Sequence, residues 1–418
     1  MGLSSGTFTR PNDFTTDASL GIDPSATKFD QEFDDIKDAL DIAIYGDGQQ
    51  TITADIPWGG KKITGLGNAT AGTDALNRDT ADARYLLKAQ LAAGLPVNAS
   101  ITASVGASAL TIALKGADGN DPSSTNTVLL PFRSATAGTG SLTVRSVTAA
   151  TSLVISSGST LASANSTALS VWVVAFDDAG TIRLGAINCL SGTSIAALST
   201  NALASSTAEG GAGAADSAHV FYTGTAVTTK PYVVLGRLIW NTGLATAGTW
   251  NAAPDIIVNM APGVKLPGEV VQAPRTVDSA VATGTTIFPA DDTIPQNTEG
   301  DQYMSQAITP TVAANLLRVL HQGHFANSNT AVVIIGFLFQ DSTASALAGT
   351  WGARDAAASS LSLLIIEHVM RAATTSSTTF KIRAGSTAAG TTTFNGQAGA
   401  RFYGGVVISR LVVEEIVA

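Results

Sequence analysis

The chain has 418 residues, of which 45% are hydrophobic and only 13% are charged, about half the ~25% that is usual in globular proteins. Its length favours two or three domains, and its formal net charge of −9 argues against a body that binds nucleic acid through Lys and Arg. The single cysteine, Cys189, excludes intrachain disulfides and a cysteine-based zinc site.

The N-terminal part of the chain differs in charge from the rest. Its first 100 residues carry 14 acidic and 8 basic residues, whereas the other 318 carry 18 and 15. A charged leader and a nearly neutral body are therefore expected to have different surroundings. The opening MGLSSGTFTRPNDF has neither an apolar core nor a cleavage pattern, which predicts no signal peptide.

The segment Ser25–Ile44 predicts an amphipathic helix with one apolar stripe. Ser25 or Thr27 can cap its start, and several acids lie near the positive end of its dipole. The stripe consists of Phe29, Phe33, Ile36, Leu40 and Ile44. A single stripe cannot bury itself. Three partners remain open: the same domain, identical chains or another protein.

A glycine-rich element follows the helix. Gln50–Ile56 alternates as a strand does, and DIPWGGKKITGLG then places glycines around a basic pair. The Gly-Lys-Ser/Thr offset of a phosphate loop is missing, so the glycines are interpreted as allowing close backbone approach. Asp79–Gly94 predicts a second helix, with Pro96 just beyond its end.

From about residue 101 the pattern predicts β-strands separated by turn clusters such as DGNDP and DDAG. Because no helices of 10–15 residues intervene, the pattern indicates an antiparallel sandwich or jelly roll. The strands predicted for this first sandwich are Ala109–Leu114, Val128–Arg133, Ser141–Val147, Ser152–Ile155, Leu169–Phe176, Thr181–Ile187, His219–Tyr222, Tyr232–Trp240 and Ile256–Val258. An irregular excursion is expected over Ser191–Ala218.

The C-terminal third predicts a second sandwich. The segment APGVKLPG at 261–268 indicates a linker, and the strands predicted beyond it are Gln302–Ile308, Asn315–His324, Ala331–Phe339, Ser360–Met370, Thr379–Ala384 and Arg401–Val417. The run Ala331–Phe339 is far shorter than the ~20 residues of a membrane helix, so no membrane insertion is expected. The stretch Gly405–Val417 is too apolar for an exposed edge, which predicts burial on both of its faces, by its own sandwich or by sister chains.

Few residues suggest chemistry. His321 and His324 are too few for a zinc site and lie on opposite faces of a strand, although a ring of histidines around a threefold axis is an alternative. Four acids in DDTIPQNTEGD could hold calcium but lack the ligand alternation of calcium loops. These acids are Asp291, Asp292, Glu299 and Asp301. No nucleophile elbow, Walker loop or dinucleotide fingerprint occurs, so the sequence predicts no enzyme, no cofactor and no metal.

Two stretches carry a family resemblance. The matching N-terminal residues are Asp55–Gly60, Lys62-Ile63, Gly65–Gly67, Ala69-Thr70, Thr73–Ala75 and Asn77-Arg78. Together with the acidic helix before them, they resemble the leader of bacteriophage tail-fibre proteins over about residues 1–90, with Trp58 where Met is usual. The C-terminal residues Asp291–Gln296, Glu299–Asp301, Ile308–Pro310 and Leu338–Ser342 are similar to a β-sandwich module of phage fibres.

The resemblance implies a mainly β homotrimeric tail fibre: a short α-helical anchoring region followed by two antiparallel, jelly-roll-like β-sandwich domains in an elongated particle component. It implies a virion protein made in the host cytoplasm. The partners would be its own copies, a tail adaptor, nozzle or baseplate protein, and a host cell-surface receptor such as a polysaccharide. The predicted domains are 1–72 (anchor), 73–100 (helical neck), 101–260 (first sandwich), 261–284 (linker) and 285–418 (second sandwich).

Individual contact residues are predicted as well. Anchoring or interchain contacts are predicted at Phe29, Phe33, Ile36, Leu40, Ile56, Trp58, Ile63 and Leu66, and receptor contacts at Trp351 and Arg354. Two alternatives stay open. A glycan-degrading tailspike would need carboxylates facing a groove. A purely structural collar or baseplate fibre would never touch the host.

Overall fold

The computed structural model describes residues 14–23, 25–41, 94–133, 142–211, 213–352 and 357–418. The chain divides into two compact units, Met1–Ala81 and Asp82–Ala418. The predicted glycine-rich element and second helix lie outside the described residues.

The described part of the first unit is helical. Helix α1 spans Phe14–Ser19 and helix α2 spans Ala26–Asp41, within the predicted Ser25–Ile44. The hydroxyl of Ser25 accepts a hydrogen bond from the backbone N–H of Lys28 at 3.3 Å, as an N-cap does. The sequence therefore correctly predicted this helix and its cap.

The described part of the second unit is built from largely antiparallel sheets, with a short parallel pair between Thr207–Ala208 and Tyr222–Thr223, and this confirms the predicted β class. Its first sandwich contains β1 (Ser100–Gly106), β2 (Ala109–Lys115), β3 (Val128–Arg133), β4 (Leu142–Val147), β5 (Thr151–Ile155), β6 (Leu169–Asp178), β7 (Thr181–Ile187), β8 (Leu190–Ser191), β9 (Ser194–Ile195), β10 (Asn201–Ala204), β11 (Thr207–Ala208), β12 (Tyr222–Thr223), β13 (Lys230–Trp240) and β14 (Ile256–Asn259). The predicted excursion 191–218 holds only two- to four-residue strands.

One large sheet organises the first sandwich. Its strand order is β10-β13-β6-β7-β12-β11, with β14 paired to β13, and β1-β2-β5 forms a smaller sheet. Val171, Val173 and Trp240 of the large sheet share a core with Ile112 of β2. Because residues 169–177 of β6 are all buried, apolar groups cover both faces of this strand.

The second sandwich begins earlier in the chain than predicted. It contains β15 (Val270–Gln272), β16 (Arg275–Asp278), β17 (Ala282–Gly284), β18 (Asp301–Ile308), β19 (Leu316–Asn327), β20 (Ile334–Gln340), β21 (Ala348–Trp351), β22 (Leu361–Arg371), β23 (Thr378–Ser386), β24 (Thr392–Phe394), β25 (Gly396–Gln397), β26 (Ala400–Arg401) and β27 (Ser409–Ile416), with a 3₁₀ turn at Tyr403–Gly405. Strands β15 and β16 pair with β27, and β17 pairs with β24. Residues 270–284, predicted as linker, are thus part of a sheet, because their pairing partners lie more than 100 residues away.

Two sheets enclose the second core. One has the order β15-β27-β19-β24-β17, with β22 also paired to β19, and the other has the order β18-β23-β20-β21. Val319 and Phe325 of the first sheet pack with Leu338 and Phe380 of the second. The sandwich is closed by these facing apolar side chains.

The last strand differs from its prediction. Strand β27 starts at Ser409, and Val406, inside the predicted strand, is 79% exposed. Along β27, Leu411 and Val413 are buried whereas Val412 is only half-buried. Within the single chain its own sandwich therefore buries one face of the strand, and burial of the other face by sister chains stays a prediction. Although β27 is an interior strand of its sheet, only one face of that sheet meets the core.

The two sandwiches share a buried apolar junction. Ala168 and Ile239 of the first sandwich pack with Val312, Ala313 and Ala314 of the second. Their burial places the segment before β19 directly against the large sheet, so the two sandwiches belong to one compact unit.

A buried carboxylate organises the polar part of this junction. Glu415 is fully buried, and its Oε1 accepts hydrogen bonds from the backbone N–H groups of Thr311 and Val312 at 2.8 and 3.2 Å. The same oxygen accepts from Thr311 Oγ1 at 2.7 Å and Asn315 Nδ2 at 2.8 Å, while Oε2 accepts from Gln272 at 2.7 Å. A buried charge is tolerated when it is satisfied in this way.

Arg237, a buried cation of the first sandwich, meets this network. Its Nη1 donates to Asn315 Oδ1 at 3.5 Å and to the backbone oxygen of Ala418 at 3.3 Å, and its guanidinium lies 5.2 Å from the centre of the Trp172 ring. Burial lowers the pKa of Arg237 to about 10, against the opposing effect of Glu415. Asn315 therefore links a cation of one sandwich to an anion of the other.

Candidate interaction surfaces

An apolar row lies on the outer face of the second sandwich. Along β22, Ser362, Leu364 and Ile366 are buried whereas Leu361, Leu363 and Ile365 alternate with them. The exposed fractions of these three are 51%, 46% and 54%. Three adjacent exposed aliphatic side chains on a flat strand are unusual on a monomer's surface.

The register of the sheet extends this face. Ile365 lies opposite Gln322, which lies opposite Arg410, which in turn lies opposite Val277. Residues opposite one another share a face, so Val277, which is 50% exposed, belongs to the same surface. The name outer apolar face is used below for Leu361, Leu363, Ile365 and Val277.

One end of the outer apolar face carries charges of both signs. Arg318 Nε lies 2.7 Å from Glu367 Oε1, and its Nη1 lies 3.3 Å from Glu414 Oε2. These contacts, above all the hydrogen bond to Glu367, raise the pKa of Arg318. The arrangement offers an apolar row beside a mixed-charge rim, which is typical of protein interfaces.

A sequence feature that the strand prediction does not use indicates this surface. The run LSLLII at 361–366 is apolar at both odd and even positions. The side chains at the even positions point to the core, so apolar side chains at the odd positions indicate a contact on the opposite face of the strand.

The predicted receptor residues have different outcomes. Trp351 ends the edge strand β21, pairs with Ile335 and is 76% exposed. A large exposed aromatic side chain at an edge is suited to binding. Arg354 lies outside the described residues.

The predicted anchoring residues are only partly described. Phe29, Phe33 and Ile36 are exposed on α2. The side chain of Leu40 and all of Ile56, Trp58, Ile63 and Leu66 lie outside the described residues. The structure therefore leaves the role of this group a prediction.

Three of the four acids considered for calcium accept hydrogen bonds from other residues of the protein. Asp291 Oδ1 accepts from the backbone and hydroxyl of Thr293 at 3.0 and 2.6 Å, and Glu299 Oε2 accepts from the backbone of Gln296 at 2.9 Å. The two carboxylate oxygens of Asp301 accept from Thr286 at 2.9 Å each. Within the described ranges, no group of three or more His, Cys, Asp or Glu side chains is arranged to hold a metal ion.

The two histidines lie on opposite faces, as predicted. His321 is completely buried, its Nδ1 lies 3.1 Å from the backbone oxygen of Arg410, and its Nε2 has no partner. Burial lowers the pKa of His321 to about 4, and it also lowers the pKa of the less buried His324. A side chain enclosed in this way is not positioned for an ion site between chains.

Burial of His321 predicts a loss of stability in acid. The unfolded chain binds this proton near pH 6.5 and the folded chain only near pH 4, so stability is lost as the pH falls through this window. The expected loss is about 3 kcal/mol. Urea unfolding of the wild type and His321→Phe at pH 7 and pH 4.5 measures it. The variant should show a smaller difference between the two pH values, and equal differences would contradict the assignment. His324→Gln is the matched control.

The single thiol is inert. Cys189 is buried beside Trp172 and Val234, and burial raises its pKa to about 12. A thiol that stays protonated is neither a nucleophile nor a ligand at neutral pH, so Cys189 is part of the packing of the core.

Comparisons with known proteins add little. No family model and no curated protein matches the chain. Among solved structures, VP2 of infectious bursal disease virus in a subviral particle has 10% identity over 80% of this chain and 82% of that chain, with a TM-score of 0.22. A structure of the Gx strain of infectious bursal disease virus has 12% identity over 78% of this chain and 72% of that chain, with a TM-score of 0.22. The delta-endotoxin Cry8Ea1 of Bacillus thuringiensis has 8% identity over 77% and 52%, with a TM-score of 0.18. Scores this low carry no argument about function.

Helices give no sign of membrane insertion. None in the described part of the chain is long and apolar enough to cross a bilayer.

Proposed function

We propose that this chain is a non-enzymatic structural and adhesion protein of a tailed bacteriophage, a homotrimeric tail fibre. The observation that carries the proposal is the element DIPWGGKKITGLG with the TDALNR text after it, which resembles phage fibre leaders. A β-sandwich body with few charges, attached to a charged leader, is compatible with this role.

Attachment to the particle is assigned to the N-terminal unit. On α2, Phe33 and Ile36 expose an apolar stripe, and an exposed stripe of this kind binds a complementary apolar surface. The partner would be another tail protein or the same helix of sister chains.

Removal of residues 1–81 is expected to abolish incorporation of the protein into particles. The body should still fold, because Asp82–Ala418 forms its own compact unit. Particle composition after complementation with the truncated gene measures incorporation, and circular dichroism of the purified fragment measures folding. Truncated protein found in particles at the normal level would contradict the anchor assignment.

A point variant separates the helix from the rest of the leader. Phe33→Asp adds a charge to the exposed apolar stripe and should reduce incorporation at least tenfold. Gln31→Asp adds the same charge to the opposite side of α2 and should leave incorporation unchanged.

Trimerisation is assigned to the outer apolar face. Identical chains around a symmetry axis bury the same surface on each copy, and the mixed charges of Arg318, Glu367 and Glu414 can pair with those of a rotated copy. Burial of this face would also remove an aggregation-prone surface from solvent.

Adhesion to the host separates the proposal from the two alternatives. Purified full-length chain should bind host cells and block adsorption of the particle. A purely structural collar or baseplate fibre would do neither. A glycan-degrading tailspike would release sugar fragments from host polysaccharide, which we do not expect.

A further inference from the structure

A cleft of about 640 Å³ lies where the two sandwiches meet. Its walls come from the loops 166–168, 241–245 and 251–252 of the first sandwich and from Arg371 and Ala373 at the end of β22. The volume is within the range of small-ligand sites. The described residues that line it include no acidic one.

The close approach of two loops shapes this cleft. Gly243 has a φ of +72°, and a Cβ at this position would lie 1.9 Å from the backbone oxygen of Thr167. Only glycine lets the two loops of the first sandwich come so close. The wall is thus a preformed feature of the backbone.

Among the described residues that line the cleft, Arg371 is the only charged one. Its Nη1 donates to the backbone oxygen of Ala168 at 2.6 Å, and none of the ion pairs within the described ranges involves it. Arg371 is half-buried, and this burial lowers the pKa of its guanidinium. A guanidinium has five N–H donors, so most of them remain available to a ligand.

Other arginines are used differently. Arg145 pairs with Asp177 and Arg183 pairs with Asp178, each at 2.8 Å. Arg383 has no acidic partner among the described residues, but it donates to two backbone oxygens and is not part of this cleft. Arg371 therefore combines a missing counter-ion with an accessible cavity.

The remaining lining is neutral and polar. The side-chain hydroxyl of Thr242 and the carboxamide of Asn251 have no hydrogen-bond partner among the described residues, and both line the cleft. Asn241 accepts from the backbone of Ala313 through Oδ1, which leaves its Nδ2 to donate. Hydroxyls and amides of this kind match the hydroxyl groups of a sugar. A single cation neutralises the one negative charge of a carboxylate, whereas a phosphate group carries about −1.5 to −2 near neutral pH and would be left partly unpaired.

We propose that this cleft binds an acidic oligosaccharide, with the sugar carboxylate on Arg371 and the sugar hydroxyls on Asn241, Thr242 and Asn251. The assignment rests on the proposed adhesive function and gives it a ligand class. Arg371 is well suited to the role because its planar guanidinium binds a carboxylate through two parallel hydrogen bonds.

Titration calorimetry of the full chain with the trisaccharides of galacturonic acid and of glucuronic acid tests the proposal. The methyl ester of each trisaccharide is the matched neutral ligand. We expect the chain to bind an acidic trisaccharide and to bind its methyl ester at least tenfold more weakly. The variant Arg371→Gln should bind the acidic trisaccharide at least tenfold more weakly than the wild type does. Arg183→Gln, outside the cleft, should bind normally, since Lys230 still pairs with Asp178.

A second variant covers the case in which Arg371→Gln loosens the junction. Ala252 is exposed at the cleft wall, so Ala252→Trp should fill the cleft without disturbing the core, and it should abolish binding. The proposed site would be wrong if neither acidic trisaccharide binds at millimolar concentration, or if Ala252→Trp binds as tightly as the wild type. Equal affinity for inorganic phosphate or for an acidic peptide would overturn the saccharide assignment.

Two outcomes separate this site from the proposed function. If the protein adheres to host cells but binds no acidic trisaccharide, only the proposed ligand of the cleft is wrong. If it binds an acidic trisaccharide but does not adhere to host cells, the cleft is a binding site and the proposed adhesive function is wrong.

Discussion

Replacing Glu415 with Gln should lower the free energy of unfolding of the body by about 3–5 kcal/mol, the usual cost of removing one member of a buried charged network. The carboxylate is fully buried and accepts five hydrogen bonds from four residues. An amide cannot accept all of them, and its N–H groups would face donors. The variant also removes the negative charge that stabilises the charged form of the buried Arg237.

Urea unfolding monitored by tryptophan fluorescence measures this effect. Trp172, one of the five tryptophans of the chain, packs in the junction, so part of the signal reports local opening there. The control variant Asp121→Asn removes a carboxylate from the surface pair with Lys115 and should cost less than about 1 kcal/mol. Equal losses in the two variants would show that the junction network does not hold the sandwiches together.

The double variant Leu363→Glu, Ile365→Glu should convert the proposed trimer to a monomer. Two carboxylates in the middle of the outer apolar face would be desolvated and brought close to their symmetry copies, which costs several kcal/mol per copy. Both side chains are about half exposed in the single chain, so the fold should tolerate the change. Multi-angle light scattering at micromolar concentration measures the mass.

A charge of the same kind elsewhere is the control. Val154 of β5 is 47% exposed in the first sandwich, and Val154→Glu should remain trimeric. A monomeric wild type would contradict trimerisation as such. If the double variant is still a trimer, the protein does trimerise, but through a surface other than the outer apolar face.

Local sequence determined a large part of the fold. The turn clusters around β6 and β7 placed both strands within two residues, because Gly and Asp end a strand wherever it packs. Ser25 and the apolar spacing after it placed α2 for a similar local reason. The spacing of His321 and His324 also assigned them to opposite faces, since side chains alternate along a strand.

Tertiary structure decided what these elements meet. Alternation tells which residues share a face, but it does not tell whether another layer covers that face, so the exposure of Leu363 and the half-burial of Val412 could not be predicted. The strands at 270–284 and the burial of Glu415 depend on partners more than 90 residues away. Arg371 and Ala168 are 203 residues apart, and only the packing of the two sandwiches brings them together. Local chemistry thus determined the strands, whereas long-range packing determined the surfaces and the cleft through which this protein would act.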